Sequence, residues 1–157
     1  MLNEKFEEAL KKVASRLDGR DLNWAVVGST NMVLQGIDLE PDDLDISTSY
    51  EGIKKVQNTF KEYVDKDIKR REASEKGKPD YYEMKLNVEG VEAHVLGGAE
   101  DDIYYSKVDS GRAIPVELNG YRVPCLELKA EKEACLGTKR EEKAKIIEDF
   151  LDDLNFK

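Results

Sequence analysis

The fold is decided by Trp24-Ala-Val-Val-Gly28-Ser29-Thr-Asn-Met-Val-Leu-Gln-Gly36 and the segment after it, Ile37-Asp-Leu-Glu-Pro41-Asp-Asp43-Leu44-Asp45-Ile46-Ser47. A short apolar run, Trp24 to Val27, stops at Gly28-Ser29 and gives way to a helical pattern through Met32, Val33 and Leu34 that ends at Gly36. This predicts strand, tight turn and helix. After a loop containing Pro41, Asp43, Leu44, Asp45 and Ile46 alternate, so a strand there sends both carboxylates to one face and both aliphatics to the other. Two acids on one face repel, and a divalent cation is the usual compensation. A helix starting at Ser29 aims unpaired N–H groups at whatever lies above the turn, and Gly28 lets a phosphate approach the backbone. Together the halves suit a Mg²⁺-bound nucleoside triphosphate.

Gly28-Ser29, thirteen residues, then Asp43-x-Asp45 resembles the signature of the nucleotidyltransferase superfamily with the polymerase-β-like palm. More narrowly it resembles the small stand-alone members: minimal nucleotidyltransferases, AbiEii-type proteins and antibiotic nucleotidyltransferases. The resemblance implies an α/β (α+β) fold, a mixed β-sheet with flanking helices and a C-terminal helical segment. It also implies transfer of a nucleoside monophosphate from a triphosphate to a hydroxyl, with pyrophosphate released. Gly28 and Ser29 would hold the nucleotide phosphates, and Asp43 and Asp45 would bind two Mg²⁺ ions, with Mn²⁺ as the substitute.

Outward from this stretch, the 157 residues read as one domain, 1–157, long enough for a single core. Residues 3–17 place Phe6, Leu10, Val13 and Leu17 at helical spacing, and a further helix from Ser49 carries Ile53, Val56, Phe60 and Val64. The polar stretch from Asp65 to Asp80 reads either as a solvated connector or as a basic cluster in which Arg70 or Arg71 reaches a phosphate or an acidic partner. Residues 81–88 and 91–96 form a hairpin around Glu89-Gly90, and Gly97-Gly98 opens an irregular region. Residues 113–118 and 121–124 form a hairpin around Asn119-Gly120. Helices follow from about 126 to 154.

In the second strand of the first hairpin Glu92 and His94 share a face. Relatives carry a third carboxylate on a strand in this place, and His94 stands where that acid would be. Imidazole exchanges a proton near neutrality, so His94 is a candidate general base and Glu92, two residues earlier, a second one; loss of catalysis is the other outcome. The tail, Leu126-Glu127-Leu128, Lys132, Arg140, Lys143 and Asp149, is similar to the C-terminal helices of AbiEii-like proteins and makes Lys132 a candidate phosphate contact. As an ordinary surface lysine, it would simply be solvated.

A formal charge of −9 disfavours a general nucleic-acid binder without excluding one local basic groove. The charged start and the lack of any long apolar run predict a cytoplasmic protein with no membrane association. Cys125 and Cys135 are too few and too far apart for a zinc site and read as reduced, partly buried thiols. Partners expected are a nucleoside triphosphate and a hydroxyl acceptor, small molecule or protein. Three rival readings stand: a catalytically weakened, antitoxin-like nucleotide binder acting on a toxin-like protein, a relic serving only as a structural partner, and an ordinary α/β turn beside a solvated strand end.

Overall fold

The computed structural model describes residues 2–72, 80–98, 104–138 and 140–155. Helix α1 (Glu4–Leu17) starts where Asn3 accepts the Phe6 N–H at 2.9 Å, and it buries Leu10, Val13 and Leu17 on one stripe. Strand β1 (Trp24–Val27) is buried throughout and runs straight into the two-turn helix α2 (Gly28–Leu34). Strand β2 (Leu44–Ser49) leads into α3 (Tyr50–Thr59), capped by the Ser49 hydroxyl, which accepts the Gly52 N–H at 2.8 Å. A 3₁₀ turn, Lys61–Tyr63, precedes β3 (Val64–Arg71), β4 (Tyr81–Val88) and β5 (Val91–Gly98). Helix α4 (Tyr105–Asp109), strands β6 (Ala113–Leu118) and β7 (Tyr121–Leu126), and helices α5 (Leu128–Gly137) and α6 (Glu141–Asn155) complete the chain.

Among the described residues the strands form one mixed sheet of seven in the order β3-β4-β5-β2-β1-β7-β6. Strands β2 and β5 are parallel, as are β1 and β7, and the remaining neighbours are antiparallel. Both hairpins close on two residues at positive φ, Glu89 and Gly90 (53° and 88°) and Asn119 and Gly120 (48° and 89°), the backbone whose twist matches that of the strands.

One side of the sheet is covered by α1 and α3, whose Leu10, Val13, Ile53, Val56 and Phe60 pack on Leu44, Ile46, Met84, Leu86 and Val95. Each such side chain stabilises the fold by roughly 1.5–3 kcal/mol through burial. On the other side α4 and α5 cover β1 and β7 through Tyr104, Val108, Ala130 and Ala134 against Ala25, Val27 and Leu126. Met32 of α2, Leu128 and Cys135 of α5, and Ala144 and Ile147 of α6 make a third cluster. The cysteines are free and buried, and burial pushes both thiols up, Cys125 to about 12 and Cys135 to about 11. Among the described residues no helix is long and apolar enough to cross a membrane.

Several expectations need correction. The stretch after Asp65 is an edge strand rather than a solvated connector, because Ile68 still reaches the core and the Tyr81–Val88 strand supplies a partner. Its continuation over 73–79 lies outside the described residues. Val64 belongs to this strand and not to the α3 stripe, since the helix ends at Thr59. Gly97-Gly98 extends β5 instead of breaking it. A Cβ at Gly97 would sit 2.9 Å from Ile53 Cγ2, so glycine there serves close helix-to-sheet packing. The irregular region contains α4, too short to leave a period in the sequence. The C-terminal helices start at Leu128, after β7 has run through Leu126.

Candidate active site

The turn between β1 and α2 and the start of β2 meet. Gly28 has φ +76°, and a Cβ built on it would lie 2.7 Å from Asp45 Oδ2. The Asp45 carboxylate thus rests on the bare backbone of the turn. Asp45, the second residue of β2, is in register with Val27, while Asp43 lies one residue before the strand and is exposed. The α2 residues hold this arrangement from below. Thr30 Oγ1 donates to the Asp43 carbonyl at 2.9 Å, and the Asp42 N–H donates to Ser29 Oγ at 2.9 Å. The segment carrying Asp43 is therefore pinned to the first turn of α2 by two hydroxyls.

Two features of that turn differ from the expected phosphate cradle. The Gly28 N–H is already taken, donating to Glu131 Oε1 at 2.6 Å, and Ser29, 2% exposed, points its hydroxyl at the loop backbone. Glu131 is the residue that sequence reasoning missed here. It comes from α5, is fully buried, and also accepts from Asn31 Nδ2 at 3.0 Å. Burial raises its pKa despite those hydrogen bonds. Arg140 is half-buried nearby, donates to Thr138 Oγ1 at 2.8 Å and to the Tyr104 hydroxyl, and exerts a favourable field on both Asp45 and Glu131. Lys132, by contrast, makes no hydrogen bond or ion pair among the described residues.

Asp45 is pushed up to about 6, first by burial and then by Asp43 beside it, with His94 and Arg140 opposing. An acid that is costly to ionise next to another acid is suited to a cation. Among the described residues no three His, Cys, Asp or Glu side chains are grouped to hold a metal by themselves. The donor set is instead two carboxylates, which fits an ion such as Mg²⁺ that fills its remaining positions with water and substrate phosphate oxygens.

Strand β5 brings His94 into register with Asp45, its Nδ1 3.9 Å from Asp45 Oδ1. Its Nε2 lies 2.7 Å from Glu83 Oε2 on β4. Burial works to raise the Glu83 pKa, but hydrogen bonds from Arg71 and His94 outweigh it and hold the group below the ordinary carboxylate range. Ionised Glu83 can only accept, so His94 Nε2 carries the hydrogen bonded to it. When His94 is neutral its Nδ1 is therefore the basic nitrogen. Glu92 sits on the same face but is ion-paired with Lys85 at 3.7 Å. Arg71 is spent on Glu83 and Arg70 on Asp80.

This sheet, with a glycine turn, an adjacent acid pair and a third polar side chain on the next parallel strand, defines a nucleotidyltransferase, a protein built to transfer nucleoside monophosphates. The family model of the aminoglycoside-2''-adenylyltransferases matches residues 9–149, and the chain belongs to that family. Its fold is similar to that of TM1012 from Thermotoga maritima, a protein assigned to the nucleotidyltransferases: 26% identity over 98% of this chain and 96% of that one, TM-score 0.77. The antibiotic-resistance factor ANT(2'')-Ia shares the fold at 11% identity in its solution structure, which covers 98% of this chain and 95% of that one with a TM-score of 0.51. Its crystal structure with adenylyl-2''-tobramycin gives 12% identity, 95% and 98% coverage, and the same TM-score of 0.51. No curated protein sequence matches the chain.

Proposed function

We propose that this protein transfers a nucleoside monophosphate from a nucleoside triphosphate to an acceptor hydroxyl, releasing pyrophosphate, with Mg²⁺ or Mn²⁺ held by Asp43 and Asp45. The observation that carries the proposal is the seating of the Asp45 carboxylate on Gly28, where any side chain would collide with it. The bound ion would supply positive charge to the phosphates during an in-line displacement.

The rest of the chemistry falls to this chain's own residues. His94 Nδ1 takes the proton of the acceptor hydroxyl, and the freed oxygen attacks the α-phosphorus. The bond from that phosphorus to the bridging oxygen breaks, and pyrophosphate leaves. Glu83 fixes the imidazole through Nε2 and balances the charge His94 acquires. Arg140 is assigned the phosphate contact in preference to Lys132, because its half-buried guanidinium lies close enough to Asp45 to favour that group's ionised form. Ser29 acts indirectly, through the Asp42 N–H, by fixing the segment that carries Asp43. Glu92, committed to Lys85, is left out of the proton transfer.

A second reading, a nucleotide-binding, antitoxin-like partner protein with weakened turnover, follows if the imidazole of His94, 3.9 Å from Asp45, does not replace the third carboxylate that the family resemblance implies. The name of the family makes an aminoglycoside hydroxyl the first acceptor to try. The test is incubation with α-labelled ATP, Mg²⁺ and a panel of hydroxyl acceptors that includes tobramycin and a sugar phosphate, wild type beside Asp45→Asn. Pyrophosphate release by the wild type alone is expected. Equal release from both proteins rejects the proposal, while tight nucleotide binding with no release from either favours the second reading.

A further inference from the structure

The acceptor side of the site has a charge pattern of its own. If the nucleotide occupies the Gly28 turn and the acid pair, as proposed above, β1 and its covering helices α4 and α5 close off one approach. An acceptor served by His94 then lies over β5, β4 and β3. In this part of the sheet the face opposite α1 and α3 carries charged side chains, and among the described residues no helix packs on β3 or β4 from that side.

Across that face one row runs in register through four strands: Lys66 on β3, Lys85 on β4, His94 on β5 and Asp45 on β2. Lys66 and Lys85 are directly opposed, and like charges in that relation destabilise a sheet. Lys69 faces Glu83, but Glu83 is already engaged by Arg71 and His94. Lys85 has Glu92 at 3.7 Å, whereas Lys66 and Lys69 have no acidic partner among the described residues. On β3, β4 and β5 the two acids of this face, Glu83 and Glu92, are thus paired and two exposed ammonium groups are not. In a chain of net charge −9 this is a local reversal of sign.

We infer that the acceptor is a hydroxyl compound carrying a phosphate group, its hydroxyl at His94 and its phosphate over Lys85, Lys66 and Lys69. This rests on the transferase reading. Strands lie about 4.8 Å apart, so the row places the anion roughly 5–10 Å from the hydroxyl, a separation met within one sugar phosphate or one nucleotide unit. Lysine serves as a point charge for phosphate, and the mutual repulsion of Lys66 and Lys85 is relieved when an anion sits between them. A polycationic acceptor would meet the same lysines as repulsion.

The experiment supplies α-labelled ATP and Mg²⁺ with glucose 6-phosphate, glucose, glucuronate, a short single-stranded oligonucleotide with a free 3′ hydroxyl, or tobramycin. Label is expected on a phosphate-bearing acceptor. K66E/K69E is expected to raise the KM for that acceptor about tenfold or more, with KM for ATP and the melting temperature held, since Glu at position 66 faces Lys85 favourably. Labelling of glucose 6-phosphate identifies a small acceptor, and labelling of the oligonucleotide alone identifies a strand end; either supports the inference. Preferential labelling of tobramycin, glucose or glucuronate overturns it, as does an unchanged KM in the double variant. Binding of glucose 6-phosphate and of the oligonucleotide is measured separately, with a non-hydrolysable triphosphate saturating the nucleotide site. Failure of wild type to bind either, or equal affinity in K66E/K69E, overturns the inference even if turnover fails everywhere, an outcome that would instead count against the transferase reading.

Discussion

Asp45→Asn is expected to make the metal-free protein more stable while abolishing its activity. The folded pKa of Asp45, about 6, lies above its ordinary value of 3.8. Above about pH 6 the folded state bears the full cost of an ionised, largely buried carboxylate that the unfolded chain does not bear. Between pH 6 and about 4 the folded state takes up a proton first and the cost is relieved, and below that both states are protonated and the difference disappears. A shift of roughly two units sets a ceiling of about 3 kcal/mol. The side chain retains 28% of its exposure, so solvent relaxation and the loss of the His94 contact reduce the gain to about 2 kcal/mol. For a chain of this length that is roughly 4–8 °C in melting temperature. Calorimetry at about pH 8 without divalent cation should show the gain, and at about pH 4 it should vanish. Saturating Mg²⁺ and ATP should then reverse the order, stabilising the wild type and leaving the variant unmoved. A variant less stable than wild type at pH 8, or a gain that does not change with pH, refutes the electrostatic account of the site.

Gly28→Ala should cost about 2 kcal/mol, from the positive φ and the collision with Asp45, and should remove activity; urea unfolding and pyrophosphate release read the two effects. Glu83→Ala should lower kcat by roughly 10–100-fold with KM for ATP unchanged, and Glu83→Gln, which still accepts from His94 Nε2, should recover part of it in steady-state assays. Glu131→Ala should destabilise the fold by about 3 kcal/mol, because the Gly28 N–H and the Asn31 amide lose their buried acceptor; denaturant titration measures it. Gly97→Ala should cost roughly 1–3 kcal/mol by overpacking against Ile53 and should leave KM for ATP unchanged, separating sheet packing from the site.

What the sequence made legible is what depends on near neighbours. The strand-turn-helix at Gly28, the face shared by Glu92 and His94, the stripe of α1 and both two-residue hairpin turns follow from periods and turn residues that lie within a few positions of one another. Strand β3 was obscured because its exposed side chains are nearly all charged, as suits an edge, and only Val64 and Ile68 mark its buried face. Helix α4 was obscured by its length of 5 residues. The bond from Ser29 to the Asp42 N–H was hidden for another reason: a serine after a glycine at a helix start has the same local pattern whether its hydroxyl faces a ligand or a neighbouring loop.

The other half of the site is assembled by contacts between residues far apart in the chain, and each depends on a register or a packing angle. His94 faces Asp45 because β2 and β5 run parallel with that pair aligned; a slip of one residue would put Val95 there and turn the imidazole into the α1 and α3 core. Glu83 reaches His94 diagonally across an antiparallel pair, eleven positions away, and reads in sequence as one more charge in a polar strand. Glu131 arrives from α5, 103 residues beyond the Gly28 it binds, and its burial among Asn31, Cys135 and Tyr104 is masked by a segment where acids and lysines alternate. A signal for it did exist. Ala130, Ala134 and Cys135 are small enough to let α5 approach the β1–α2 turn closely, and an acid on the same helix face then has to find donors there. The Gly28 amide and the Asn31 side chain are those donors, which makes the geometry of the nucleotide turn a consequence of how the C-terminal helices pack as much as of the glycine itself.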